Sequence, residues 1–183
     1  MKKSEIREKH KLIVKHVHEA AIENFNKDGH IYAIVFLITY DGKFMPIIAP
    51  DVDFSNYKEK LKFSNTIRQL STKFKAVGVI FVTEAWVLSS NTKKGIPFEN
   101  FSKEIQRIGG ISKHPDKKEV IIIVEQYLDG TFTTSHEIIR EKKKVKIKKG
   151  ETVRIDDVDG IFINLLNKPD IDKLFEEVIK RND

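Results

Sequence analysis

The stretch "EVIIIVEQYLDGTFTTSHEIIR", residues 119–140, decides the fold. Two runs rich in β-branched and aromatic residues meet at Asp129-Gly130. That dipeptide suits a tight hairpin, because both central positions of the favoured turn need positive φ. A two-residue loop there pairs Leu128 with Thr131 and Tyr127 with Phe132. Counting back sets Glu125 opposite Thr134, Ile123 opposite His136, Ile121 opposite Ile138 and Glu119 opposite Arg140. Side chains alternate along a strand, so all of these share one face. Glu125 and His136 become diagonal neighbours, and Glu119 and Arg140 a cross-strand ion pair.

Upstream, "VGVIFVTEAWVLSS" (77–90) reads as a strand buried on both faces, with Thr83, Glu84 and Trp86 near its end. Glu84 shares a face with Ile80, Val82, Trp86 and Leu88. A carboxylate there marks either the point where the strand emerges into water or a group held inside for chemistry. "IYAIVFLITYDGKFMPII" (31–48) is a second Asp-Gly hairpin, about Asp41-Gly42. Pro46 has no N–H to give to a ladder, so its strand belongs at an edge or stops early. The similar fragments "TYDGKF" and "YLDGTF" reflect one favoured turn used twice rather than a duplication.

Helices fill the gaps. Residues 5–26 place Ile6, Ile13, Val17, Ala20, Ala21 and Phe25 on one face, and "NKDGH" ends the pattern. Tyr57 to Phe74 forms a second helix along Phe63, Ile67, Leu70 and Phe74. Residues 89–118 are a long connection with one short helix (Phe98, Phe101, Ile105, Ile108), the kind of segment that carries binding loops. "KKKVKIKKGETVRI" alternates Val145 and Ile147 with lysines, as a half-exposed strand does. Two helical pieces close the chain over 160–182, the better one "PDIDKLFEEVIKR" (169–181), with Asp170 as its N-cap. The order is α-ββ-α-β-loop-ββ-β-α: an α+β fold with a mostly antiparallel sheet and helices on at least one face, taken as a single domain over 1–183.

The chain has 183 residues, 40% hydrophobic and 33% charged, enough for a packed core. It contains no cysteine, which rules out disulfides, thiolate metal sites and a cysteine nucleophile within it. No apolar segment is long enough to span a bilayer, so a soluble cytoplasmic protein is expected. The formal charge of +6 allows nucleic acid or another acidic partner.

Glu84, Glu125, His114, Asp116 and His136 are the residues that carry chemistry. Glu84 and Glu125 around a divalent metal, with His136 as a nitrogen ligand, would make a hydrolytic centre. Two close carboxylates would otherwise divide acid and base roles. "KHPDKKE" offers His114 and Asp116 as loop-borne acid/base groups, or as a plain turn fixed by Pro115. His16 and His18 lie two apart on a helix and face different ways. Asp156, Asp157 and Asp159 lack the spacing of a calcium loop. No Gly-rich phosphate loop, HExxH or GxSxG is present. Lys142, Lys143, Lys144, Lys146, Lys148 and Lys149 either follow a phosphate backbone or guard an edge strand, and edge protection is preferred.

"VIFVTEAWVL" followed by "HPDKKEVIIIVEQYLDG" resembles a group of uncharacterised bacterial proteins. These carry a Phe-Val-Ser/Thr-Glu-Ala-Trp stretch, then His-Pro-Asp and an acidic apolar strand. The resemblance covers roughly residues 77–130 and implies no activity. Three functional classes follow from the residues. The first is a binding or interaction module, with homo-oligomerisation among its forms. The second is a metal-dependent hydrolase or nuclease using Glu84, Asp116, Glu125 and a histidine. The third is a basic nucleic-acid binder.

Overall fold

A computed structural model describes residues 3–49, 52–54, 56–88, 98–127, 130–141, 144–155 and 165–166, the side chains of 3–7 and 98–102 excepted. The closing helix expected over 169–181, with Asp170, lies outside the described residues, as do Asp156, Asp157, Asp159, Lys142 and Lys143; of the piece expected before it only Leu165 and Leu166 are described, and they are not helical. The order is α1 (Lys3–Asp28), β1 (Ile34–Thr39), β2 (Phe44–Ile48), α2 (Tyr57–Lys73), β3 (Ala76–Leu88), α3 (Phe98–Ile108), β4 (Lys117–Tyr127), β5 (Gly130–Glu141), β6 (Lys144–Lys148) and β7 (Thr152–Ile155). The fold is α+β. One curled antiparallel sheet runs β2-β1-β3-β4-β5-β6, and β7 also pairs with β5.

Both faces of the sheet are covered at its centre. Val17, Ala21 and Phe25 of α1 pack on Ile38, Ile80, Val82, Ile121, Ile123 and Ile138. On the opposite face Phe63 and Ile67 of α2 pack on Val35, Leu37, Val77, Val79 and Phe81, joined by Leu165 and Leu166. This two-sided cover explains the unbroken apolar run of β3, whose residues are buried from Ala76 to Val82 and only half-buried or exposed beyond. Each large side chain so buried contributes roughly 1.5–3 kcal/mol. α2 starts at Asn56, whose side chain accepts from the Lys58 and Glu59 amides and satisfies two of the first-turn donors.

The two edges are protected differently. Ala49 N–H donates to Ala33 and Thr39 N–H to Lys43, so the odd-numbered residues of β2 bond to β1. Phe44, Pro46 and Ile48 therefore aim their backbone groups outward, and Pro46 has no N–H at the centre of that free edge. At the other side β6 pairs with Glu137–Glu141 and β7 with Thr131–Thr134. Together they act as one edge strand broken at Lys149-Gly150-Glu151, opposite Ser135 and His136. A Cβ on Gly150 would lie 2.0 Å from the Ser135 carbonyl oxygen, so only glycine permits this approach.

The first hairpin departs from the two-residue loop expected in its length, and the second in its position. The first closes over Tyr40-Asp41-Gly42: Thr39 pairs with Lys43, Gly42 N–H donates back to Thr39, and only Gly42 carries positive φ (81°). Asp41 accepts from the Thr39 hydroxyl and pairs with Lys43, which holds its carboxyl down to about 2. In the second, Tyr127 pairs with Gly130, and Glu125 stands opposite Phe132, Ile123 opposite Thr134 and Ile121 opposite His136. The loop closes one residue early because Gly130 belongs to the strand, with the Arg154 guanidinium lying over its bare Cα. A cross-strand slip of two residues keeps every side chain on its expected face. It separates Glu125 from His136, which are not diagonal neighbours.

Candidate functional site

A third residue fills the space this slip opens. His18 follows Val17 on α1 and lies at the flank of the helix's buried stripe. Its Nε2 is 3.0 Å from Glu125 Oε1 and its Nδ1 is 3.2 Å from His136 Nε2. The Tyr127 hydroxyl donates to Glu125 Oε2 (2.9 Å), and the Gly150 amide donates to His136 Nδ1 (3.2 Å). Glu125 and His136 are buried, at 5% and 3% exposure. His10, also buried and one more helical stretch toward the N-terminus, stacks on Tyr127 with ring centroids 5.3 Å apart. Gly78, opposite Tyr127 on β3, leaves room for it: a Cβ there would stand 3.2 Å from the His10 ring.

The backbone sets the protonation of this network. Gly150 N–H can only donate, so His136 Nδ1 is an acceptor and the His136 proton sits on Nε2. That N–H donates to His18 Nδ1, which places the His18 proton on Nε2, aimed at Glu125. Glu125 thus accepts from both His18 and Tyr127, satisfying the two oxygens of a buried carboxylate. Burial first, then the nearby His18 and Lys149, pushes the pKa of His136 below its ordinary 6.5, in keeping with a neutral ring. The arrangement joins α1, β4, β5 and the break in the far edge strand through one line of hydrogen bonds.

The remaining sequence candidates fall elsewhere. Glu84 stands opposite Ile121, whereas Glu125 stands opposite Ile80. The two carboxylates share a face but lie four positions apart, about 13 Å along the strand. Glu84 Oε1 accepts from the Ile31 amide at 2.5 Å and so ties the segment before β1 to the emerging end of β3. His114 is buried, and its Nδ1 accepts from the Asp116 amide (3.1 Å), closing the His-Pro-Asp turn, while Asp116 itself is exposed. Among the described residues no three His, Asp or Glu side chains converge to hold a metal ion. Of the five candidates only Glu125 and His136 join one network, and they do so through His18.

The expected Glu119–Arg140 pair forms, across a diagonal rather than directly. Arg140 Nε and Nη2 reach the two Glu119 oxygens at 2.7 and 2.5 Å, an arrangement that favours the charged guanidinium. Trp86 is 42% exposed, with Lys117 Nζ 4.6 Å above its ring. On β6, Lys146 pairs with Glu141 (2.9 Å) and Lys148 lies opposite Glu137. No helix of the described residues is long and apolar enough to cross a membrane.

From the sequence, His18 was set aside as half of a ligand pair and Tyr127 served only the hairpin register, while His10 and Gly150 were not singled out. The usable signal was the spacing 10-14-17-18-21-25, which puts two histidines on the apolar stripe of α1. The chain matches no protein-family model, no curated protein and no solved structure.

Proposed function

We propose that this chain is a binding module rather than a hydrolase. One observation carries the reading: the acid and base candidates that are buried or half-buried are engaged with partners inside the fold. Glu84 holds the Ile31 amide, His114 the Asp116 amide, Glu125 holds His18 and Tyr127, and His136 holds Gly150 and His18. Large apolar groups remain outside on the same sheet face, among them Phe44 and Ile48 beside α1's footprint and Trp86 at the emerging end of β3. The hydrolase reading needs Glu84, Asp116 and Glu125 around one ion, and these three are dispersed. The nucleic-acid reading rests on a lysine stripe in which Lys146 is already paired with Glu141. A single domain accords with 183 residues that are 40% hydrophobic, and a cytoplasmic setting with the absence of cysteine.

Thermal unfolding of the wild type and Glu84→Gln, each with and without Mg²⁺, Mn²⁺ and Zn²⁺, tests this reading. The expected outcome is no metal-dependent rise in Tm for either protein. A rise that Glu84→Gln abolishes would return the protein to the hydrolase class, since binding to the native state raises Tm by mass action.

A further inference from the structure

We propose that His18 and His136 form an acid-sensitive latch between α1 and the broken edge strand at 149–151. This role is independent of what the module binds. Donors and acceptors in this network match one to one. Gly150 N–H, His136 Nε2–H, His18 Nε2–H and Tyr127 O–H are the donors; His136 Nδ1, His18 Nδ1 and the two Glu125 oxygens are the acceptors. Each imidazole has one protonatable nitrogen, and each such nitrogen already accepts a hydrogen bond. A proton on His18 Nδ1 would face the His136 N–H, and a proton on His136 Nδ1 would face the Gly150 N–H. Switching the His136 tautomer only moves the conflict from one end of that ring to the other. No protonation of either ring leaves the chain whole.

The surroundings decide which link parts. His18 faces Glu125 from β4, so a charged His18 gains an ion pair there and stays on the sheet. His136 faces His18 from α1 and lies under the charge of Lys149 from the edge, with no carboxylate among its hydrogen-bond partners. Tyr127 stays bound to Glu125, and His10 stacks on the Tyr127 ring. A proton on His18 Nδ1 cuts the His18–His136 bond and leaves the His18 Nε2–H on Glu125. His136 is then free to turn, and Gly150 loses the acceptor that holds the strand break against β5. Acidification loosens 149–151 while α1 remains tied to Glu125.

Histidine ring nitrogen and backbone amide NMR of the full chain between pH 7.5 and 5 tests the latch. At pH 7.5 both rings should show the Nε2–H neutral form with Nδ1 accepting. On acidification the Gly150 amide should exchange about tenfold faster after correction for intrinsic pH dependence, as expected when one hydrogen bond is lost. His136→Asn, whose side-chain oxygen is able to take the Gly150 N–H, should abolish that acceleration. A Gly150 amide whose corrected protection is constant over this range in the wild type would overturn the proposal, whatever the variant does. So would an Nδ1–H form of either ring at pH 7.5.

Discussion

At Gly150 a missing methyl group lets the edge strand break without leaving the sheet, and lets one amide reach a buried imidazole. Gly150→Ala places a Cβ against the Ser135 carbonyl, which is rigid backbone in a ladder. The expected cost is about 2 kcal/mol, read from urea unfolding, with a changed His136 resonance. Glu125 is the other decisive residue. Glu125→Ala strips acceptors from His18 and Tyr127 at once, and a loss of about 2–4 kcal/mol follows from leaving buried donors unpaired. Unfolding at pH 7.5 measures it; a loss within about 0.5 kcal/mol, typical of a surface change, would contradict the network. Residue types were visible in the chain, and Glu125 and His136 were found from alternation alone. Their mediator was not, because alternation within a hairpin carries no information about a helix that lies across it.

At the scale of elements, the sequence was most legible where local chemistry acts alone. The helix over residues 57–74, the edge position of β2 and the emergence of β3 at Glu84 all follow from periodicity, proline and burial pattern. The hairpin register was not legible, because Arg154, from a strand further along, packs over Gly130 and draws it into β5. Nor was the division of the last edge into β6 and β7, which depends on Gly150 meeting Ser135. The β2 edge makes its own prediction. Pro46→Val restores an outward N–H at the centre of the free edge and completes a template for strand addition. Sedimentation should show more self-association in this variant, with its unfolding at low concentration little changed. A variant as monodisperse as the wild type would mean that something besides Pro46 guards the edge.

At the scale of the whole molecule, the buried histidine makes stability depend on pH. The pKa of His136 is lowered in the folded chain from 6.5, so between the two values the unfolded chain binds more protons. Its contribution is intact above pH 6.5 and is lost as pH falls through the folded value. Tm should decline from pH 7.5 to pH 5, and less so in His136→Asn. An unchanged slope in that variant would assign the decline to other groups. Asp41 acts further down: its folded pKa near 2 against 3.8 puts its small, solvent-screened contribution above pH 3.8 and removes it as pH falls toward 2.

The claim on which this architecture rests is that α1 is held to the sheet by a continuous polar line through His18. A double-mutant cycle of His18→Ala and Glu125→Ala, by urea unfolding at pH 7.5, measures that link directly. The account predicts a coupling of about 1–3 kcal/mol, the double variant losing less than the sum of the two single losses. Additive losses, with no coupling beyond about 0.3–0.5 kcal/mol, would contradict it and leave α1 held by its apolar stripe alone.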